Sequence, residues 1–392
     1  PLEPCRTQPE RDGAVLSKKP VTPPARKVAV LGAGSWGTTF AKILADGGND
    51  VMLWARRDDL AEDINETHRN SDYLRGIRLP LNLVATSSMA AAVKNAEQVY
   101  LCVPSQTLRE NLVQLAPLLR DDQIVISLMK GVERKTGLRM SEVIAEELPI
   151  SPDMVAVASG PNLALEIAKE QPTAAVISSQ SLETASQVAL TVSNRYFRCF
   201  VNTDVPGTEF GGVLKNLIAV AVGIVDGVGY GDNTKASIIT RGLAEMTDFA
   251  VAYGAQPETL AGLAGLGDLI ATCESPLSRN NTAGRLLGQG YTLKEVTNQM
   301  QQTAEGLASV APVLTLARAR EVDMPIVEQV SQVLAGTLDP KDIAPHLTTD
   351  TDEPQGERSL DDYQARGGGV VWGALKRAFN QLRDSPGSPS GD

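Results

Sequence analysis

The sequence predicts an α/β protein: a doubly wound, mostly parallel sheet, followed by an all-helical C-terminal domain. Three observations predict it. Short apolar runs alternate with helical stretches as far as about residue 204. A glycine-patterned turn, Gly32-Ala33-Gly34-Ser35-Trp36-Gly37, joins the first apolar run to the first helical stretch. After about Asp204, strand-like runs nearly vanish and the chain becomes rich in Ala, Leu and Gly at helical spacing.

The first apolar run is Val28-Ala29-Val30-Leu31, and the helical segment after the turn reaches about Gly47. The order is strand, tight turn, helix, as in a Rossmann-type dinucleotide site. Gly32 allows the sharp turn, Gly34 lets backbone approach a pyrophosphate, and Gly37 lets helix lie close to strand. The helix N-terminus then offers unpaired N–H groups and a positive dipole end to phosphates. A purely structural glycine turn has the same spelling; its place between buried strand and helix favours the dinucleotide.

Val51-Met52-Leu53-Trp54 is a second buried strand. About twenty positions past the glycines, an NAD-selective site places an acidic residue on the ribose 2′-hydroxyl. Here Ala55-Arg56-Arg57 stands instead. An arginine there pairs with a 2′-phosphate, so NADP is expected to be accepted beside NAD; two solvated surface charges are the plainer alternative.

Further strands are expected at Val99 to Val103 (closed by Pro104), Ile124 to Ser127, Val155 to Ala158 and Ala174 to Ile177, with helices at Thr107 to Leu119 and Leu182 to Ser193. Ligands of such sheets sit outside the carboxyl ends of the strands. That singles out Pro104-Ser105, Met129-Lys130-Gly131 and Ser159-Gly160-Pro161-Asn162.

The resulting domain plan is a disordered leader over 1–26, a nucleotide-binding domain over 27–205 and a helical substrate-binding domain over 206–340. An acidic linker and flexible tail follow over 341–392. Within the tail, 370–383 is a possible amphipathic helix with Val371, Leu375, Phe379 and Leu382 on one face.

A chain of 392 residues has room for two cores. The net charge of −11 argues against nucleic acid as a main partner. The longest apolar stretches, such as Leu217 to Val225, fall short of a membrane span, and the leader has no apolar signal core, so a soluble, cytoplasmic protein is expected. Cys5, Cys102, Cys199 and Cys273 form no Cys-x-x-Cys pair, which suggests thiols in a reducing compartment and no metal site. His68 and His346 are the sole imidazoles, the first in a polar segment after an expected helix and the second near a tail. Acid–base chemistry would therefore fall to lysines and carboxylates.

A cofactor domain followed by a helical one puts substrate between them, so the helices must supply polar groups. Lys215-Asn216 interrupts the apolar run Gly212 to Val220. A lysine there is costly to bury unless paired or used; otherwise it snorkels to the surface. Asp268 and Thr272 stand in the glycine-rich run Gly262 to Thr272, where Asp268 is either a functional carboxylate or an N-cap. Ser278-Arg279-Asn280 sets a guanidinium between hydroxyl and amide donors, which suits a phosphate, or else forms a solvated turn.

Together these segments resemble the bacterial-type NAD(P)-dependent glycerol-3-phosphate dehydrogenase family, from about Lys27 to about Leu334. The carriers are Gly-Ala-Gly-Ser-Trp-Gly at 32–37, Met-Lys-Gly at 129–131, Ser-Gly-Pro at 159–161 and Leu-Lys-Asn at 214–216. Ile-Thr-Arg-Gly-Leu-Ala-Glu-Met at 239–246, Gly-Leu-Gly-Asp-Leu at 265–269, Ser-Arg-Asn at 278–280 and Glu-Gly at 305–306 complete them.

The resemblance implies reversible reduction of dihydroxyacetone phosphate to sn-glycerol 3-phosphate with NADPH or NADH, feeding glycerophospholipid synthesis. It implies Lys215 as proton donor and acceptor at the C2 oxygen, and Lys130 as a substrate contact near the cofactor. It makes Asp268 the carboxylate that orients substrate and Lys215, Ser278, Arg279 and Asn280 the phosphate-binding stretch, and Gly160 and Asn162 further substrate contacts. Ser35, Trp36, Arg56, Ala164, Arg279 and Glu305 match cofactor contacts, beside the glycines, Arg57 and Lys130. Family members are often dimers, so a homodimer is possible. Two departures stand out: Asn162 replaces a small hydroxyl residue, and Ala304 replaces a bulkier aliphatic before Glu305. Two other readings remain, another two-domain hydroxy-acid dehydrogenase and a non-catalytic NADP-sensing protein on the same fold.

Overall fold

The computed structural model describes residues 25–300 and 304–344; the leader, the tail with its 370–383 segment, and the Glu305 side chain lie outside the described part. The strands are β1 (Lys27–Leu31), β2 (Asp50–Trp54), β3 (Leu83–Thr86), β4 (Gln98–Leu101), β5 (Ile124–Ser127), β6 (Val155–Ser159), β7 (Thr173–Ser179) and β8 (Phe197–Asn202). Between them run α1 (Ser35–Asp46), α2 (Asp58–Thr67), α3 (Met89–Val93), α4 (Leu108–Leu115), α5 (Met140–Glu147), α6 (Ala164–Ala168) and α7 (Leu182–Val192). The sheet order is β3-β2-β1-β4-β5-β6-β7-β8. It reverses direction of growth at β1, between β2 and β4, and the glycine turn lies at that switch point.

Alternation along the strands feeds two cores. Val28 and Val30 face a cluster with Phe40, Tyr100 and Phe197, while Ala29 and Leu31 face one with Leu108, Val125, Met140 and Ile144. The sheet is parallel from β3 through β6, but β7 runs antiparallel to β6, with Ala158 opposite Ile177. The connection between them, over 160–172, carries the five-residue α6. Neither β3 nor β8 was visible as an apolar run. β3 has four residues, and β8 is an edge strand with Arg198, Phe200 and Val201 exposed.

The last strand ends at Asn202, and the helical layer opens with α8 (Val205–Val228). Around it lie α9 (Asp232–Ala252), α10 (Pro257–Ala261), α11 (Asp268–Glu274), α12 (Arg279–Gly288), α13 (Leu293–Gln299), α14 (Glu305–Ala319) and α15 (Pro325–Ala335). By length and composition α8 is apolar enough to cross a membrane, but it is mostly buried inside the protein. A helix that is apolar all round belongs in a core, and α8 supplies Leu214, Leu217, Ile218 and Val222 to the third cluster. Glycines fix its nearest neighbour. A Cβ at Gly223 would lie 2.2 Å from the Asn281 carbonyl oxygen, and one at Gly284 would lie 2.2 Å from that of Val220. The backbones of α8 and α12 therefore touch, which holds the start of α12 against the middle of α8.

Candidate active site

The glycine turn divides its labour. Gly32 has φ +123°, and a Cβ on it would lie 2.3 Å from the Cys102 carbonyl oxygen. A Cβ on Gly37 would lie 1.9 Å from the Gly32 carbonyl oxygen. These two are fixed by the protein's own backbone. Gly34 meets nothing within 4 Å. It is also the N-cap of α1, with no side-chain cap, and the first helical bond closes from Thr38 N to its carbonyl at 2.9 Å. The N–H groups of the first turn are thus left for something else to bind. Asn70 braces the turn from the loop after α2, donating to the Ala33 carbonyl at 2.9 Å and to Thr38 Oγ1 at 2.8 Å. Ser35 and Trp36 are half-buried at the start of the helix. Arg56 and Arg57 follow β2 and are both exposed, and Arg57 is paired with Asp72. Ala164 opens α6, and its carbonyl accepts from Thr39 Oγ1 of α1 at 3.3 Å, which sets α6 against the glycine-turn helix.

The second group is buried. Lys130 lies just past β5, where its Nζ donates to the Gly160 carbonyl at 2.9 Å and to Asp268 Oδ2 at 2.6 Å. Lys215 on α8 donates to Asp268 Oδ1 at 2.7 Å and to Thr272 Oγ1 at 2.6 Å. One turn on from Asp268, Thr272 donates to its backbone carbonyl at 2.7 Å. Lys215 therefore does not snorkel; it is 7% exposed, and Asp268 is 1% exposed. Nor is Asp268 a cap. It is the first residue of α11 after the π-helical turn Leu263–Gly267, and it spends both oxygens on lysines. One carboxylate thus holds two ammonium groups together. Burial pushes the Lys130 amine down from its ordinary 10.5 to about 8; Asp268 opposes that shift and Lys215 adds to it.

Small residues make room for this. A Cβ at Gly212 would lie 2.9 Å from Ser159 Oγ and 3.2 Å from Lys130 Cγ, so the Lys130 stem runs between the sheet edge and α8. Gly160 has φ +131° and lies close to β7, where a Cβ would meet the Ala175 Cα at 3.1 Å. At the same strand end, Ser159 Oγ and both amide atoms of Asn162 are buried without a hydrogen-bond partner among the described residues. Such atoms cost free energy when unpaired. They fit a polar ligand in the cleft.

Comparison with known proteins gives the family. Residues 27–185 match the family model described as NAD-dependent glycerol-3-phosphate dehydrogenase N-terminus, and residues 204–345 match its C-terminus. The chain is 72% identical to the glycerol-3-phosphate dehydrogenase [NAD(P)+] of Leifsonia xyli subsp. xyli, over 93% of this chain and all of that one. This chain belongs to the NAD-dependent glycerol-3-phosphate dehydrogenase family. The enzyme of the same name from Streptomyces griseus is 54% identical over 79% of this chain and 92% of its own. The crystal structure of glycerol-3-phosphate dehydrogenase from Coxiella burnetii superposes with TM-score 0.78 at 35% identity, over 83% of this chain and 99% of that one. The Leifsonia match, at 93% of the chain, extends past the 27–345 span of the two family models.

Within this dehydrogenase fold, Ser278-Arg279-Asn280 splits. The Ser278 hydroxyl caps α12 by accepting from Asn281 N at 3.2 Å. Asn280 is buried, donating to Asn216 Oδ1 at 2.8 Å and accepting from Gly306 N at 3.0 Å. Arg279 is exposed. Asn280 thus ties α8, next to Lys215, to the start of α14. Sequence reasoning also missed Glu209 on α8. Its Oε2 accepts from Arg139 at 2.7 Å and from Ser141 Oγ at 2.6 Å, and its Oε1 accepts from Ser141 N at 2.9 Å. This buried cluster fastens α8, and with it Lys215, to the start of α5. Its signal was one acidic residue in an otherwise apolar segment.

Proposed function

We propose that this chain interconverts dihydroxyacetone phosphate and sn-glycerol 3-phosphate as an NAD(P)-dependent dehydrogenase acting on the CH–OH group. The observation that carries the reading is the Asp268 bridge between Lys130 and Lys215 at the carboxyl edge of the sheet. When bound, the nicotinamide supplies or accepts the hydride. Gly32, Gly34, Ser35, Trp36 and Gly37 would hold its pyrophosphate, and Arg56, Arg57, Lys130, Ala164, Arg279 and Glu305 complete the cofactor site.

Lys215 gives a proton to the C2 oxygen in reduction and takes it back in oxidation. Lys130 adds a second positive charge where negative charge develops on that oxygen. Asp268 holds both amines in place, and Thr272 fixes the Lys215 rotamer. The exposed Arg279 takes the substrate phosphate from the start of α12, beside Ser278 and Asn280. That remote contact supplies binding energy that positions the reacting carbon. Gly160 and the unpartnered amide of Asn162 bound the substrate on the sheet side. The product supplies glycerophospholipid synthesis in the cytoplasm, and the enzyme works as a homodimer.

The test is oxidation of NADH and of NADPH by the purified protein with dihydroxyacetone phosphate. Turnover is expected with at least one cofactor. Cofactor binding without turnover would sink the substrate assignment and favour a sensing protein or another hydroxy-acid dehydrogenase.

A further inference from the structure

Arg57 stands just past β2, where a site of this kind meets the adenosine ribose. A guanidinium there suits a 2′-phosphate, but this one is engaged. Its Nη2 donates to Asp72 Oδ2 in a short contact, and its Nε lies 3.6 Å from Asp59 Oδ1. Asp72 comes from the loop after α2 that Asn70 ties to the glycine turn. With Arg69, Ser71 and Arg75 it also lines a cavity of about 430 Å³. Asp72 is therefore the anion hydrogen-bonded to Arg57, on a loop that also carries Arg69 and Arg75 and is tied to the turn that the cofactor would occupy.

We propose that Asp72 sets the balance between NAD and NADP, by neutralising Arg57 and repelling a 2′-phosphate. The proposal rests on the reading of the glycine turn as the dinucleotide site. A 2′-phosphate brings roughly two negative charges. To reach Arg57 it must displace Asp72, and it then lies beside Asp59 as well. A free 2′-hydroxyl brings no charge and leaves the Arg57–Asp72 pair standing. The acidic residue that NAD-selective sites carry at the end of the second strand is thus delivered here from a separate loop. Both partners are about half exposed, with side-chain accessibilities of 47% and 49%. Solvent and salt screen the effect, which keeps it moderate.

Calorimetric titration of the whole chain with 2′,5′-ADP, 5′-AMP, NADPH and NADH tests this. Asp72→Asn is expected to tighten 2′,5′-ADP and NADPH about fivefold, while 5′-AMP and NADH move less than about twofold. Arg57→Gln is expected to weaken the two ligands that carry a 2′-phosphate, and to move the other two less. The gain in Asp72→Asn should fade at roughly 0.5 M salt. An unchanged ratio of 2′,5′-ADP to 5′-AMP affinity, or an equal change in both, overturns the role of Asp72. Wild-type protein that binds neither NADH nor NADPH overturns the dinucleotide site itself, and this proposal with it.

Discussion

The glycine turn and the lysine–carboxylate cluster differ in kind. The turn is written in six consecutive residues, and its shape comes from what those residues lack. The cluster gathers Lys130, Gly160, Lys215, Asp268 and Thr272 from four separate segments, with 138 positions between Lys130 and its carboxylate. The turn would position a ligand with backbone, at little cost. The cluster must hold two amines and a carboxylate out of water, so each charge depends on the others. The first should keep its fold when its ligand-facing position changes, whereas the second should fail when any member is removed.

The largest effect expected is from Lys215→Ala. Loss of the proton donor should lower kcat for dihydroxyacetone phosphate by about 10³-fold or more. NADH affinity, measured by fluorescence titration, should stay close to wild type, because the turn does not depend on the cluster. Retained turnover would remove Lys215 from its role.

Asp268→Asn should come next, and it should harm both function and fold. Breaking a buried ion pair costs about 3–5 kcal/mol, because the amines stay behind without their counter-charge. Urea unfolding should show that loss, and kcat should fall on the order of 10²-fold. A variant as stable as wild type would mean that the bridge is not carrying the lysines.

Within the turn, two alanine substitutions should separate. Gly37→Ala drives a methyl group into the Gly32 carbonyl and should cost about 1–3 kcal/mol in thermal unfolding. Gly34→Ala meets nothing in the protein, so stability should hold while NADH binding weakens about tenfold or more. Full NADH affinity in Gly34→Ala would move the pyrophosphate elsewhere.

The same contrast explains what the sequence made legible. Strand, turn and helix around Gly32 to Gly37 obey local rules, and so do the buried strands β1, β2, β5 and β6. Lys215 and Asp268 were visible as polar anomalies in apolar runs, yet their pairing with each other and with Lys130 follows from tertiary packing. Glu209 showed only as one acidic residue in an apolar segment, and Asn70 and Asp72 were not legible. Polar residues in polar or short mixed segments look solvated until the fold brings partners to them. Ser278 and Asn280 read as phosphate donors; that Ser278 also caps α12 and that Asn280 also joins it to Asn216 and Gly306 follows from tertiary packing.

The smallest effect is also the sharpest probe of the cluster, because it needs no loss of structure. Lys130 titrates at about 8 in the fold against an ordinary 10.5. Between those values the unfolded chain binds more protons, so this group's contribution to stability rises with pH from about 8 to about 10.5. Its charge goes the other way: it is present below about 8 and lost above. If that charge stabilises the developing alkoxide, kcat/KM for reduction should fall as pH rises through about 8, approaching tenfold per unit. Lys130→Arg, whose guanidinium stays charged, should lower the plateau yet carry it to higher pH. An unmoved limb in that variant would assign the titration to another group and leave Lys130 a purely positioning role.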